Sequence, residues 1–142
     1  MGEIGSYFSP LKSTVIISPE LNRFLVPIDD VIDKPKIVRL IMNQKTEEAL
    51  ALLAKHYKVT VPQLKVGLPK GHRKNIYGCY TSKNQTISVL SSDFLGNAFV
   101  IIHEFYHHLR SKSVDRQHKG TERNADRFAT EFLIAYQLSG GK

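Results

Sequence analysis

The sequence predicts an α+β fold, in which a small antiparallel or mixed sheet of three or four strands packs with helices. Apolar residues recur at helical spacing in three stretches, 45–59, 94–110 and 121–139. Between the first and the second stretch lie three short runs rich in β-branched and aromatic residues, which favour strands. The chain of 142 residues is long enough to bury its own core. We therefore predict one domain over residues 1–142, with its core in 45–138 and an N-terminal extension, 1–42, of unclear structure.

The N-terminal part of the chain has the weakest pattern. Residues 13–18 read STVIIS, a β-branched run that ends at Pro19 and predicts a short strand. Residues 36–43 fit either a strand or the start of a helix. The helix predicted at 45–59 has Thr46 as its candidate N-cap and acidic residues in its first turn.

Three strands and a pair of helices follow. The strands are predicted at 63–68, 75–81 and 85–90. The last two flank the residues SKN, whose length and composition suit a hairpin loop. The residues SSD then cap the helix at 94–110, and Thr121 caps the last helix, which ends before Gly140.

Charge and cysteine content indicate the class of partner and the cellular location of the protein. The formal net charge is +7, and basic residues cluster at Lys70, His72, Arg73 and Lys74. Such an excess favours nucleic acid or an acidic protein as a partner, although a solvated surface is the simpler interpretation. The single cysteine, Cys79, cannot form an internal disulfide, which favours a cytoplasmic location. The sequence has no run of about 18 apolar residues and therefore predicts no membrane-spanning helix.

The stretch AFVIIHEFYHHLRS places two histidines and a glutamate in an apolar helix. His103 and His107 are four residues apart, so both imidazoles lie on one helix face and can bind the same zinc ion. Glu104 lies about 100° further round the helix axis, beside the ligand pair. A carboxylate there can take a proton from a water molecule next to the metal, as a general base does. This is the H-E-x-x-H pattern of zinc metallopeptidases.

A catalytic zinc site needs a third protein ligand. The metzincin extension would require glycine and histidine where the chain has Arg110 and Ser113. The last helix instead offers Glu122, which shares a face with the apolar residues of that helix and would point inward. Asp126, one turn further on, can accept a hydrogen bond from a ligand imidazole. His118, in the polar loop between the two helices, is the alternative third ligand.

These segments together resemble the ImmA/IrrE-type zinc metallopeptidase domain, a gluzincin-like arrangement, over residues 45–138. The resemblance rests on the hairpin YGCYTSKNQTISV, on HEFYHHL and on ERNADRFA, which matches the Glu-x-x-Ala-Asn/Asp-x-Phe-Ala stretch of the family. It implies a minimal zincin-like fold with one Zn²⁺ per chain, and it gives roles to His103, His107 and Glu122 as ligands and Glu104 as base. It also implies an endopeptidase that cleaves a specific intracellular protein, such as a transcriptional regulator. The basic surface would then serve an acidic or a DNA-bound protein partner.

Other roles stay open from the residues alone. Three side chains are candidates for stabilising the oxyanion: His118, Tyr80 and Tyr136. His108 is expected at the surface or behind a ligand, and the strand at 85–90 is expected to be exposed and to pair with an extended substrate. Two alternative functions are a non-catalytic basic module that binds nucleic acid or an acidic protein, and an SprT-like protease acting on DNA-bound proteins. The second would require His118 on the metal.

Overall fold

The structure, a computed structural model, describes residues 31–71, 76–112 and 122–141. The unit Ile32–Lys142 is of the α+β class, as predicted, and its described residues form four α-helices and a three-stranded mixed sheet. The helices are α1 Lys34–Met42, α2 Thr46–Tyr57, α3 Ala98–Ser111 and α4 Glu122–Leu138. The strands are β1 Gln63–Val66, β2 Gly78–Thr81 and β3 Thr86–Val89, and a 3₁₀ helix, Ser92–Gly96, precedes α3. The strand predicted at 13–18 and the predicted cap Thr121 lie outside the described residues.

Residues 36–43, for which the sequence allowed a strand or a helix, fall in α1 and its C-cap. The helix begins after Asp33, whose side chain accepts a hydrogen bond of 3.1 Å from the backbone N–H of Lys36. A proline lies in the first turn, where its missing N–H would have no helical partner. Ile37 and Ile41 are buried one turn apart, so burial of one helix face selects the helix over the strand.

The start of α2 differs from the predicted cap. Lys45 is the N-cap and makes no side-chain capping bond, while Thr46 is the first helical residue. The Thr46 hydroxyl donates to the backbone carbonyl of Leu95 and so connects α2 to the 3₁₀ helix. A long-range partner has therefore replaced the local capping bond expected from the sequence.

The sheet has the strand order β1-β3-β2. The central strand β3 is parallel to β1 and antiparallel to β2, where Cys79 is the partner of Ser88. Every residue of β3 is buried. The prediction that this strand is exposed and pairs with a substrate is therefore wrong, because its backbone is paired on both sides. Both β2 and β3 contact α3, and the edge strand β2 has the more extensive contact.

The two helices that carry the predicted site pack against each other. The helix α3 begins later than predicted, because Asn97 caps it and accepts a hydrogen bond of 3.1 Å from the backbone N–H of Val100. The helix α4 buries Ala125 and Ala129, both with 0% exposure. Small residues at buried positions allow two helices to approach closely. The first turn of α4 then lies beside the middle of α3, as its contacts with His103 require.

One hydrophobic core joins the helices to the sheet. Its largest fully buried side chains come from all four helices and from β3: Phe105, Phe132, Ile37, Ile41, Leu50, Leu53, Ile87, Ile101 and Ile102. The helices are apolar mainly on the face that meets this core, and α4 leaves Arg123 and Arg127 exposed on the other. Among the residues that the structure describes, no helix is long and apolar enough to cross a membrane.

Candidate metal centre

His103 and His107 lie one turn apart on α3, with their ring centroids 5.1 Å apart. Both are largely enclosed, since the exposed fractions of their side chains are 11% and 20%. Ile102 and Phe105 on the same helix are fully buried in the core. Their packing fixes the rotation of α3 about its axis and therefore the direction in which the two imidazoles point.

Glu122, the first residue of α4, contacts both histidines. Its Oε1 lies 2.8 Å from Nε2 of His103, and its Oε2 lies 3.0 Å from Nε2 of His107. The Glu122 side chain has an exposed fraction of 76%, so the point where the three side chains meet is open to solvent. The structure thus brings together the three residues that the sequence predicts as ligands.

The donor set formed by these residues suits zinc. Two imidazole nitrogens and a carboxylate oxygen are typical protein ligands of a catalytic zinc ion, and the three donors lie within 4.8 Å of one another. Burial lowers the pKa of His107, while Glu122 opposes the shift, so the neutral imidazole that a metal requires is favoured. Each Nε2 faces a carboxylate oxygen of Glu122, and a metal ion bound there requires both nitrogens to be free of protons. The residues present therefore fit the metal that the sequence predicts.

Asp126 lies behind the ligand pair, one turn along α4 from Glu122. Its Oδ1 is 2.8 Å from Nδ1 of His103. The contact lacks the direction of a hydrogen bond, and Nδ1 is buried without a hydrogen-bond partner. A hydrogen bond from Nδ1–H to this carboxylate would hold the ring with Nε2 towards the metal position.

Glu104 is buried beside the ligand pair, with 7% exposure. Burial raises the pKa of its carboxyl from 4.5 to about 7, while His103 lowers it and Glu122 raises it further. The side chain faces a cleft of about 450 Å³ that His107 and Glu122 also line. The other lining residues lie in or near β2 and at the end of α3: Ile76, Gly78, Cys79, Tyr80, Ser82 and Ser111. A carboxyl whose pKa is near neutrality can exchange protons with a molecule bound in this cleft.

The strand β2 forms one wall of the cleft and approaches α3 closely at Gly78. A Cβ at this position would lie 2.9 Å from Cγ1 of Val100 and 3.2 Å from the carbonyl oxygen of Ser88. It would also lie 3.5 Å from Cγ of Glu104, so the glycine sets the distance between the strand and the candidate base. Sequence reasoning missed Gly78 and the lining role of Cys79. An isolated glycine in a predicted strand is the signal that could have found the first, because it often marks a close approach of backbone.

Tyr80 lines the cleft, but its hydroxyl contacts a buried histidine. The Oη atom lies 2.7 Å from Nδ1 of His108 and 3.1 Å from Oγ of Ser111. His108 has 0% exposure, so it is not the surface residue that the sequence allowed. Its other nitrogen, Nε2, lies 2.7 Å from the carbonyl oxygen of Thr60. Burial lowers the pKa of His108, the hydrogen bond that its ring donates to the Thr60 carbonyl opposes this shift, and the charge of Lys112 reinforces it.

Tyr136, another oxyanion candidate, is not among the residues that line the cleft. Tyr136 lies on α4 about 21 Å along the helix axis from Glu122, and its hydroxyl donates to the backbone carbonyl of Gly141. It belongs to the C-terminal end of that helix. His118 lies outside the described residues. Of the predicted site residues, the structure groups the following: His103, Glu104, His107, Glu122, Asp126 and Tyr80.

Comparison of the chain with family models, with curated proteins and with solved structures finds no match.

Proposed function

We propose that this chain is a zinc-dependent endopeptidase with a zincin-like fold of the ImmA/IrrE type. The observation that supports it most is the meeting of His103, His107 and Glu122 beside the buried carboxyl of Glu104. Metal-assisted peptide hydrolysis requires metal donors, a base close to them and a cleft for the substrate. The two helices provide three donors, with the base and the cleft beside them.

Each residue has a separate task in this mechanism. His103, His107 and Glu122 hold one zinc ion per chain, which when bound supplies the positive charge that polarises the scissile carbonyl. Glu104 takes a proton from the attacking water and passes it to the leaving amine. Burial raises the pKa of Glu104 to about 7 in the metal-free protein. The positive charge of a bound zinc ion would lower it and favour the ionised form that a base needs.

Asp126 positions His103 for this task. Its Oδ1 is 2.8 Å from Nδ1, on the side of the ring away from Glu122. A carboxylate on Nδ1–H leaves Nε2 free of its proton when a metal binds and makes that nitrogen a stronger donor. We therefore treat Asp126 as a residue that orients and polarises a ligand.

An extended peptide is the substrate that the cleft favours. The strand β2 is at the edge of the sheet formed by the described residues, and three of its residues, Gly78, Cys79 and Tyr80, line the cleft. A peptide can add to such an edge through backbone hydrogen bonds, and its backbone would then run past Glu104. From the family resemblance we propose a specific intracellular protein, such as a transcriptional regulator, as the natural substrate. The single Cys79 supports a cytoplasmic location.

Zinc content is the first test of the proposal. We expect about one zinc ion per chain in untagged wild-type protein and a strongly reduced content in Glu122→Ala. Glu131→Ala is the matched control, because Glu131 is an exposed glutamate on the same helix and should not affect the metal. A wild-type protein that takes up no zinc when the metal is added would overturn the proposal.

Cleavage is the second test, with casein as the probe. Glu104→Gln should keep its zinc and lose cleavage, because the amide cannot accept the proton. Glu131→Gln, the matched control, should cleave at the wild-type rate. Full cleavage by Glu104→Gln would show that Glu104 is not the general base, even if zinc is bound.

A second candidate function comes from the net charge of +7. A basic interaction module would bind duplex DNA or an acidic protein without cleaving anything, and an SprT-like protease would combine both properties with His118 on the metal. Binding to duplex DNA at two salt concentrations separates these from the first proposal. A steep loss of affinity with salt and no cleavage would favour the interaction module.

A further inference from the structure

His108 lies next to a candidate ligand but is buried between two other elements. Its Nε2 is 2.7 Å from the carbonyl oxygen of Thr60, just before β1, and its Nδ1 is 2.7 Å from Oη of Tyr80, on β2. A peptide carbonyl can only accept a hydrogen bond, so Nε2 must carry the proton in this contact. The direction of the first hydrogen bond is therefore fixed by the chemistry of the partner.

The second nitrogen of the ring then has to be the acceptor. Both partners of His108 are uncharged, and its ring has 0% exposure, so a charged imidazolium would be costly there. In the neutral ring Nδ1 has no proton, and it is satisfied only if the Tyr80 hydroxyl donates to it. If the hydroxyl pointed elsewhere, a buried nitrogen would lose its partner.

The contact with Ser111 does not free the Tyr80 proton from its bond to His108. Its Oγ lies 2.8 Å from the backbone carbonyl oxygen of His108 and 3.1 Å from Oη of Tyr80. The serine hydroxyl has one proton, which goes either to the carbonyl of its own helix or to the oxygen of Tyr80. In neither arrangement does Tyr80 have a proton left for the cleft.

We propose that Tyr80 acts in the cleft as a hydrogen-bond acceptor for a backbone N–H of the peptide, and that His108 is the positioning residue that holds it in this role. This inference rests on the proposed function. An extended peptide beside β2 offers N–H donors along its length. A developing oxyanion, by contrast, needs donors and would meet the lone pair of Tyr80. Tyr80 therefore accepts a hydrogen bond from the substrate backbone and does not stabilise the oxyanion.

The hydrogen-bond direction can be measured without any activity. Nitrogen-15 NMR of the full chain near neutral pH reports which ring nitrogen of His108 carries the proton, with His108→Gln used to assign the signals. We expect the neutral ring with its proton on Nε2, in the metal-free and in the zinc-loaded protein. A proton on Nδ1, alone or together with one on Nε2, would overturn the proposal, because Tyr80 would then keep its own proton for the cleft.

The role towards substrate is tested with trialanine hydroxamate, which can bind a zinc site without turnover, and with analogues methylated at one backbone nitrogen each. In the zinc-loaded wild type, methylation at one position should weaken binding by about tenfold, the value of one hydrogen bond. In Tyr80→Phe that loss should largely disappear. Tyr77→Phe is the matched control, since Tyr77 is 56% exposed, stacks on Phe94 and does not line the cleft. Equal losses in Tyr80→Phe and wild type would overturn the proposal.

Kinetics on a cleaved peptide provide a further distinction. An acceptor for a substrate N–H contributes equally to ground state and transition state, so Tyr80→Phe should raise KM about tenfold and leave kcat nearly unchanged. Removal of an oxyanion donor would instead lower kcat by about 10²–10³, and that result would contradict the inference. A wild type that binds no zinc and no hydroxamate would overturn the proposed function, whereas the NMR result tests the hydrogen bond independently.

Discussion

Glu122 Oε1 lies 2.8 Å from His103 Nε2, although 19 positions separate the two residues in the chain. This contact joins the first turn of α4 to the middle of α3, and it uses the same atoms that a metal ion would need. Proton and metal therefore compete for one site. The stability of the protein should consequently depend on metal.

Zinc should stabilise the wild type against unfolding. At a free concentration of one hundred times its dissociation constant, the ion adds about 2.7 kcal/mol to the free energy of unfolding. Thermal denaturation with and without a chelator measures this gain. Glu122→Gln should lose most of it, and Glu131→Gln should keep it. A gain of the same size in Glu122→Gln would mean that zinc binds elsewhere.

Asp126→Asn should weaken zinc binding about 10- to 100-fold, because the ring of His103 loses its negatively charged partner at Nδ1. Competition with a fluorescent zinc chelator gives the dissociation constant. Asp93→Asn, at an exposed position of the 3₁₀ helix, is the control and should bind as the wild type does. Unchanged affinity in Asp126→Asn would remove Asp126 from the site.

Glu104→Gln should stabilise the metal-free protein at alkaline pH. The pKa of Glu104 is about 7 in the folded protein, above the ordinary value of 4.5. Its contribution to stability is therefore fully present below pH 4.5 and is lost as the pH rises through about 7. Because glutamine does not titrate, the variant should gain on the wild type over this range, by up to about 3 kcal/mol.

Urea denaturation of the metal-free protein at acidic and alkaline pH measures this gain. Glu48→Gln, at an exposed position of α2, should show no such dependence. If the difference between Glu104→Gln and wild type were the same at both pH values, the carboxyl would not be buried as described.

Gly78→Ala should destabilise the fold by about 1–3 kcal/mol, because the added Cβ overpacks the contact between β2 and α3. The closest atom is Cγ1 of Val100, at 2.9 Å. The double variant with Val100→Ala should lose less than the sum of the two single losses, since the second change makes room for the first. Simple additivity of the two would show that the strand does not approach the helix at this point.

The sequence predicts the helices and the grouping of ligands better than it predicts the sheet. The spacing of His103 and His107, and the face shared by Glu122 and Ala125, follow from helical geometry alone. The central position of β3 does not. Thr86 and Ser88 alternate with Ile87 and Val89 and suggest a half-exposed strand. In the structure both edges of β3 are paired and both of its faces are buried.

The burial of His108 could not be predicted from the sequence either. Its partners Thr60 and Tyr80 are 48 and 28 positions away, so no local pattern could reveal that a polar side chain has both nitrogens bonded. Tyr136 is the opposite case. Its distance from Glu122 follows from the rise of an α-helix, about 1.5 Å per residue, and was predictable once both residues were assigned to one helix.

The candidate ligands belong to two helices, so a bound ion would be a reversible cross-link between His107 on α3 and Glu122 on α4. An ion that both helices bind in the folded chain would hold the first turn of α4 in place. When zinc is scarce, that turn would open more often and be cut more readily by cellular proteases. The abundance of the protein would then follow the zinc supply of the cell, because the ion needed for the proposed chemistry also sets the lifetime of the chain.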